Sequence, residues 1–417
     1  MRVAIIGAGA AGLMTAATIL ELHPEVEVFL IEKNNGLGKK VIISGGGRCN
    51  VTTGVQDIRS VLGKYPRGAH FLSASMHQFS PEMVFAWFEM HGVPLKIEDD
   101  LRVFPQSDDG NDIVGVFQQL FEEASLKPWL STQVQSIQKV GKTFQIYGKQ
   151  MTDPLTVDTV VLTTGGQAYR QTGSTGDGYA FACSLGHTLT PLAPSLNAFT
   201  TRETWPQTLS GLSFHEATLT VQRPKKTHIT GPFLFTHKGL SGPAVFALSS
   251  HVAFEMYDAI DPLLITIDLF PDTTPDQLSQ QLHHLLHTQP KKALLTVFAQ
   301  RLPRSFVEVI CQELTLATDT RAAEISKNDL HRIVSWLKAI PLSVIGRGAG
   351  DEFVTAGGID TREVNPHTME SKITPGLFFA GEILDIDGYT GGFNLQASWA
   401  TGRLAGSCVS SGESAKI

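Results

Sequence analysis

The chain has 417 residues, 42% apolar and 18% charged, an ordinary globular balance with length for two or three domains. Its net charge of −7 gives no electrostatic footprint for nucleic acid or an anionic membrane. The four cysteines, Cys49, Cys183, Cys311 and Cys408, form no C-x-x-C pair; they indicate neither a metal site nor a dithiol motif, and fit a reducing, cytoplasmic setting.

In chain order, Val3 to Ile6 is a short apolar run that predicts a buried parallel strand. Ala10 to Leu22 follows a helical pattern, and Glu27 to Glu32 predicts a second strand, so the start of the chain has the size of one β-α-β crossover. Glycines at 7, 9 and 12 argue against reading this apolar start as a secretion signal, and no later segment is apolar for the length of a membrane span. Gly36 to Thr53 reads as an extended glycine-rich loop. Helices are expected over Pro81–Gly92, behind the cap Ser80, and over Asp112–Ser125. Gln133 to Val140 and Thr143 to Tyr147 predict a hairpin; Thr156 to Thr164 predicts a core strand, followed by a helix over Asp177–Leu185.

From about Pro191 the texture changes. Residues 196–270 carry short strand candidates at Ala217–Gln222, His228–Phe235 and Leu263–Leu269, and residues 275–337 are helical in pattern with breaks at Pro290, Pro303 and Ser326. The basic run Arg223-Pro-Lys-Lys226 between strand candidates reads as a solvated turn. From Pro341 the chain returns to strands and glycines and closes on a helix over Asn394–Cys408, with Ser410–Ile417 as a frayed tail. The expected fold is therefore α/β: a discontinuous Rossmann-like domain, 1–190 plus 341–417, with an inserted antiparallel β subdomain at 191–274 and a small helical subdomain at 275–340.

Gly7-Ala8-Gly9-Ala10-Ala11-Gly12 lies between the first strand and helix. Gly7 permits the tight turn, Gly9 the approach of a pyrophosphate, and Gly12 close helix–strand packing. The helix N-terminus supplies N–H groups and a positive dipole end. Glu32 closes the second strand twenty residues after Gly12, where an acid meets a ribose 2′-OH and repels a 2′-phosphate. The motif alone is neutral between NAD and FAD. The strand ends Thr164-Gly165-Gly166 and Gly381-Glu382, the latter after the apolar run Gly376–Ala380, tip it to FAD, because two-dinucleotide-fold flavoproteins return a C-terminal segment to the cofactor.

Four further segments carry a family resemblance: Ser44-Gly-Gly-Gly-Arg-Cys-Asn50; Ser174-Thr-Gly-Asp-Gly-Tyr179; Leu234-Phe-Thr-His-Lys-Gly-Leu-Ser-Gly-Pro243; and Gly381-Glu-Ile-Leu-Asp-Ile-Asp-Gly-Tyr-Thr-Gly-Gly-Phe-Asn-Leu-Gln396. Together with the N-terminal loop they resemble the HI0933-type flavoproteins, a family that includes BaiN-like and aminoacetone oxidase-like proteins. The resemblance spans nearly the whole chain. It implies an FAD domain with an inserted β-barrel-like domain and a small helical domain. It also implies that Gly7, Gly9, Ala10, Ala11 and Gly12 hold the pyrophosphate, and that Glu32, with Lys33 beside it, holds the adenosine ribose. Lys40, Val41, Ser44, Gly45, Gly46, Gly47, Arg48, Cys49 and Asn50 would wrap the flavin side, and Val134 would meet the adenine. Glu382 and Asp385 would lie by the ribityl chain or pyrophosphate, near Thr164, Gly165 and Gly166. Gly391, Gly392, Phe393, Asn394 and Leu395 would bring a helix N-terminus to the flavin edge where reduced flavin carries negative charge.

Several residues stay open between chemistry and structure. Cys49 is a proton donor or redox partner or, since no second cysteine is near in sequence, a buried filler. Arg48 binds an anion or braces its loop. His237, in a polar glycine-flanked turn, is a candidate general acid. His283, His284 and His287 have helical spacing but no companion acids or cysteines, which reads as a solvated helix face rather than a metal site. Gly346-x-Gly348-x-Gly350 reads as a turn rather than a second nucleotide loop, so no dedicated NAD(P)H domain is expected.

The expected function is that of an FAD-dependent oxidoreductase on a small organic substrate, by C=C reduction or amine-type oxidation, with NAD(P)H as a transient donor. The alternatives are a flavin-dependent tRNA-modifying protein, which the acidic charge disfavours, and a non-catalytic FAD-binding redox sensor.

Overall fold

The computed structural model describes residues 1–149, 151–348 and 353–410. Residues 411–417 of the expected frayed tail, and Gly350 of the three-glycine pattern, lie outside them. The chain divides into two compact units, Met1–Ser195 with Glu352–Ile417, and Leu196–Asp351.

In the first unit β1 (Arg2–Ile6), α1 (Ala10–Leu22) and β2 (Glu27–Ile31) form the expected crossover. With β3 (Thr159–Leu162) and β4 (Leu377–Phe379) the strands make a parallel sheet in the order β4-β3-β1-β2. Val3, Ala4, Ile5, Val160, Val161 and Leu162 are fully buried, as strands covered on both faces must be. The expected strand Thr156–Thr164 is two strands: Leu155–Val157 joins an antiparallel three-stranded sheet with the hairpin Val134–Val140/Thr143–Gly148, and only Thr159–Leu162 enters the parallel sheet. Asp158 separates them, its carboxylate accepting from Arg2 N at 2.7 Å.

The loop expected over Gly36–Thr53 is more ordered than its composition suggests. Lys39–Ile43 forms a short helix and Ser44–Gly47 a tight turn on left-handed glycines, because the run Lys39-Lys-Val-Ile-Ile43 can bury Val41 while Gly38 supplies a left-handed start. The helix Pro81–Met90 starts at Ser80, whose hydroxyl accepts from Met83 N, and Gly110–Glu123 follows. A further helix, α2, spans Asp177–Ser184, and α3 spans Phe393–Cys408. α3 packs on α1 at close range: a Cβ on Gly402 would lie 2.5 Å from the Ala11 carbonyl oxygen.

The second unit is a closed antiparallel barrel with helices. Its six strands run, in spatial order, Phe199–Thr201, Gly239–Ser241, Thr227–Thr236, Ser213–Val221, Leu263–Asp268 and Ile340–Arg347, the last pairing back to the first. Alternation places Ala217, Leu219 and Val221 inside and leaves Thr218 and Thr220 outside. The barrel's sixth strand runs beyond residue 340, and it contains Gly346, which pairs with Thr200 rather than forming a turn. The strand-rich texture also hid a helix, Pro243–His251, started by Gly242 at φ 105° with proline in the first turn. The helices Pro275–Thr288, Leu294–Phe298, Arg304–Glu313 and Lys327–Lys338 share one apolar cluster with the barrel, where Leu278, Leu282 and Leu286 recur every fourth residue.

Candidate functional site

The site is built in the first unit around the C-terminal ends of β1 and β3. Gly7 turns the chain out of β1 at φ 104° and donates its N–H to the Ile31 carbonyl at 2.8 Å. Its carbonyl accepts from Thr163 Oγ1 at 2.7 Å. Gly12 is sterically obligatory, since a Cβ there would lie 1.9 Å from the Gly7 oxygen. Gly9 is different: a Cβ there would meet nothing within 4 Å, and as the N-cap of α1 it brings no capping side chain. Ala10 and Ala11 follow, buried beneath the loop. The loop therefore exposes a helix N-terminus with a glycine on its open side, the cradle a pyrophosphate requires.

Glu32 is 8% exposed and already braces this loop. One carboxylate oxygen accepts from Ala8 N at 2.8 Å; the other accepts from Asn34 N at 2.8 Å and Asn34 Nδ2 at 2.7 Å. Its Ala8-bound oxygen keeps acceptor capacity for a sugar hydroxyl. The Glu32 carbonyl accepts from Thr132 N at 2.9 Å, so the strand bearing buried Val134 starts beside the acid. Lys33 Nζ sits on Asp177 at 2.7 Å, which ties this corner to the Ser174–Tyr179 segment.

Lys40 Nζ pairs with Glu382 Oε2 at 2.7 Å, and Glu382 Oε1 accepts from Thr355 N at 2.9 Å. The expected flavin-side segment and the Gly381-Glu382 segment thus meet through one ion pair. Gly381 packs on α1, where a Cβ would lie 2.8 Å from Ala11 Cβ. Ser44 Oγ donates to the Val41 carbonyl at 2.7 Å, and Cys49 N donates to the Ser44 carbonyl at 2.9 Å. Gly45, Gly46 and Gly47 are all left-handed, and beyond Gly46 and Gly47 a Cβ would meet open space. The Asn50 amide, oriented so that both ends meet complementary groups, accepts from Gly392 N at 2.9 Å and donates to the Thr52 carbonyl at 3.1 Å. It joins the Ser44–Asn50 loop to the turn before α3.

That turn is held on several sides. Asn394 Oδ1 accepts from Gly388 N, and its Nδ2 donates to the Gly388 carbonyl, both at 2.8 Å. Tyr65 donates its hydroxyl to the Phe393 carbonyl at 2.6 Å, and its ring meets the Phe393 ring edge-on. Gly391 and Gly392 have φ 121° and 89°, and Leu395 is half-buried one turn on.

The open readings separate. Arg48 lies on Glu98 at 2.7 Å, near Asp108 at 3.4 Å, and 3.8 Å above the Phe104 ring, so its guanidinium braces the loop. Cys49 is fully buried, and burial pushes its thiol up to about 12, which makes it a protonated filler at neutral pH. His237 is exposed in the turn between the strands Thr227–Thr236 and Gly239–Ser241 of the second unit. His283, His284 and His287 are exposed on one helix, and among the described residues no group of acids, histidines and cysteines could hold a metal.

Sequence reasoning missed the best-buried charge of this unit. Asp387 has no exposure; it forms a two-pronged pair with Arg67 and accepts from Ser195 Oγ at 2.8 Å. Arg67 belongs to no motif, and nothing in its neighbourhood along the chain signalled the pairing. Tyr179 was missed as a side chain, although its motif was noticed. Its hydroxyl is buried without a protein partner, and burial pushes the phenol well above its ordinary range.

The donor set fits a dinucleotide flavin. Thr164 Oγ1 and Asp385 Oδ1 are buried polar atoms that meet no protein partner, and both lie on segments expected at the cofactor. Burial holds the Asp385 carboxyl above the usual range. Together with the open cradle at Gly9 these atoms suit the phosphates and hydroxyls of such a group.

A family model described as the HI0933-like protein Rossmann domain matches residues 1–408. The chain is 28% identical over 407 residues to a 3-dehydro-bile acid delta(4,6)-reductase of Clostridium scindens, covering 97% of this chain and 98% of the relative. It is 29% identical to a ribosomal RNA dihydrouridine synthase of Escherichia coli, covering 95% of each. Among solved structures, a 3-ketosteroid delta1-dehydrogenase of Sterolibacterium denitrificans matches over 99% of each chain, with a TM-score of 0.51 and 13% identity, a likeness of fold. No helix among the described residues is long and apolar enough to cross a membrane.

Proposed function

The chain belongs to the HI0933-like Rossmann family and is an FAD-dependent oxidoreductase, and on that premise we propose that it reduces an activated C=C bond of a small organic substrate, with NAD(P)H as the electron donor. One observation carries this reading. The relatives are named for a bile-acid delta(4,6)-reductase and for dihydrouridine synthesis, and both names denote saturation of a carbon–carbon double bond. That shared chemistry favours reduction over amine-type oxidation.

Bound FAD supplies hydride chemistry. The chain's own residues bind and orient it. The N–H groups of Ala10 to Gly12 at the start of α1, with the helix dipole, would take the pyrophosphate, since the N–H groups of Gly7 and Ala8 are already held by the Ile31 carbonyl and Glu32; Glu32 would take the adenosine ribose through its remaining acceptor capacity. Lys40 and Glu382 close the opposite side as a pair, which keeps the Glu382 carboxylate oriented through Thr355 N. Thr164 Oγ1 and Asp385 Oδ1 offer their unused capacity to hydroxyl groups. The Asn50–Gly392 and Asn394–Gly388 bonds fix the start of α3, whose N-terminal dipole favours negative charge at that edge. Cys49, buried with its thiol pushed up to about 12, packs beneath this loop.

A second reading, reduction of a uracil base within RNA, rests on the dihydrouridine synthase relative, which is about as similar as the bile-acid reductase. The net charge of −7 favours the small molecule. Stopped-flow absorbance tests both. Rapid bleaching of the flavin by NADH or NADPH, followed by recolouring with a conjugated enone such as a 3-keto-4-ene steroid, supports the proposal. Recolouring by uridine-containing RNA but by no enone would transfer the assignment to RNA. A flavin that neither nicotinamide bleaches refutes the donor.

A further inference from the structure

Two loops at one end of the barrel stand side by side and differ in chemistry. One is the tight turn Asp258–Asp261. Asp258 N donates to the Asp261 carbonyl at 3.1 Å, and the Asp258 carboxylate accepts from Ile260 N at 2.6 Å and Asp261 N at 2.9 Å. This turn holds Ile260 out at 92% exposure, with Met256 at 85%. The other is the hairpin tip Arg223-Pro-Lys-Lys226, where Lys225 and Lys226 are exposed. Arg223 ties the two together, through Asp261 Oδ2 at 2.9 Å and the Pro262 carbonyl at 3.2 Å.

The apolar tip is not a loose loop. Arg202 donates to the Ala259 carbonyl at 2.6 Å, and Arg347 donates to the carbonyls of Ala253 at 2.8 Å and Glu255 at 3.0 Å. Three arginines therefore fix two aliphatic side chains in water, an arrangement that water alone does not favour. Around these loops five cations, Arg202, Arg223, Lys225, Lys226 and Arg347, stand against four carboxylates, Glu203, Glu255, Asp258 and Asp261, in a chain whose net charge is −7. The local balance is thus opposite in sign to the global one.

We infer that this end of the barrel docks on an anionic lipid surface, with Ile260 and Met256 entering the acyl boundary and Lys225 and Lys226 meeting the headgroups. Aliphatic tips beside lysines are what an interfacial anchor needs. The two most exposed apolar residues, Ile260 and Met256, are aliphatic, and the one exposed ring of the segment, Phe254, is only 46% exposed, which offers RNA no run of stacking platforms. Tips on a tight turn also lack the breadth of a stable protein interface, about 800 Å² on each partner. The inference is independent of the proposed chemistry, because every residue in it belongs to the barrel unit.

The test is vesicle flotation of the full-length holoprotein at low salt, with phosphatidylcholine alone and with phosphatidylcholine containing roughly one third phosphatidylglycerol. The protein should float with the anionic vesicles and not with the neutral ones, and should be released by high salt. The double variant Met256→Asp, Ile260→Asp should bind at least about tenfold more weakly. Lys225→Ala and Lys226→Ala should each lose about fivefold. Both positions of the double variant are exposed, and unchanged circular dichroism and flavin content confirm its fold. Absence of flotation at low salt, or equal flotation of the double variant, overturns the inference. So does a concentration-dependent dimer, or RNA binding, that the same substitutions abolish, since either assigns the face to another occupant.

Discussion

Replacing Glu32 should separate two roles that one carboxylate combines. In Glu32→Ala the loop loses acceptors for Ala8 N, Asn34 N and Asn34 Nδ2, and Ala8 lies in a site with 1% exposure. A buried N–H left without a partner costs about 1–3 kcal/mol, so the apoprotein should lose about 2 kcal/mol or more once the Asn34 bonds are included. The proposed ribose contact is a hydrogen bond to a charged group, worth about 1.5–3 kcal/mol, which corresponds to a roughly 10- to 150-fold rise in the FAD dissociation constant. Glu32→Gln keeps the shape and one acceptor oxygen, yet its amide must turn an N–H toward either Ala8 N or Asn34; it should fall between wild type and Ala in both respects. Two measurements distinguish the roles: apoprotein melting reports the brace, and titration of apoprotein with FAD by quenching of flavin fluorescence reports the contact. If Glu32→Ala melts earlier but binds FAD as tightly as wild type, the carboxylate is only a brace and the ribose assignment fails. If neither quantity moves, the hydrogen-bond accounting for the loop is wrong.

The glycines offer a matched contrast: Gly12→Ala, with its Cβ 1.9 Å from the Gly7 oxygen, should destabilise the fold by more than about 2 kcal/mol, whereas Gly9→Ala should melt like wild type and purify with little flavin. A Gly9→Ala protein that retains its full flavin content would refute the pyrophosphate cradle. His187 has no side-chain exposure, and burial holds its imidazole below its ordinary value even though Glu363 lies 3.2 Å from Nδ1 and Ser371 Oγ 2.7 Å from Nε2. The unfolded chain therefore takes up a proton near about pH 6.5 that the folded chain takes up only at lower pH, so stability falls as pH drops below about 6.5. His187→Gln should flatten that limb of the melting profile; an unchanged acid limb would show that other groups set it. Cys49, with its thiol pushed up to about 12, should resist iodoacetamide at mildly alkaline pH while exposed Cys183 is alkylated, as mass spectrometry of the native protein would show. Rapid modification of Cys49 in the folded protein would restore it as a reactive group.

Local patterns were legible where one physical rule dominates. Glycine spacing between a buried strand and a helix leaves one geometry, and the structure has it at Gly7, Gly9 and Gly12. Strand-forming composition read three of the six barrel strands to within a few residues, and proline and serine breaks read the helices Pro275–Thr288, Arg304–Glu313 and Lys327–Lys338. Reading failed where a neighbour distant in sequence decides. The run around Asp158 looked like one strand because nothing local says that its halves join different sheets. Pro243–His251 looked like barrel because the region is rich in strand formers, while Gly242 and Pro243 start a helix there.

The sequence by itself determined the nucleotide loop, the acid after β2 and the family motifs, because each depends on residue types at short fixed spacings, and the flavin character followed from such motifs recurring at the far strand ends Thr164–Gly166 and Gly381–Glu382. Tertiary structure alone decided what those residues touch. It put Arg48 on Glu98, it buried Cys49 completely, and it gave Asp387 a partner 320 positions away in Arg67. It also set a basic hairpin beside an apolar turn, so that Arg223, unremarkable in its run, is bonded to Asp261 next to the exposed Ile260. Pairings across such distances follow from how sheets close and chains return, and a hydrogen bond or ion pair of a few ångströms leaves no periodic trace in the sequence that forms it.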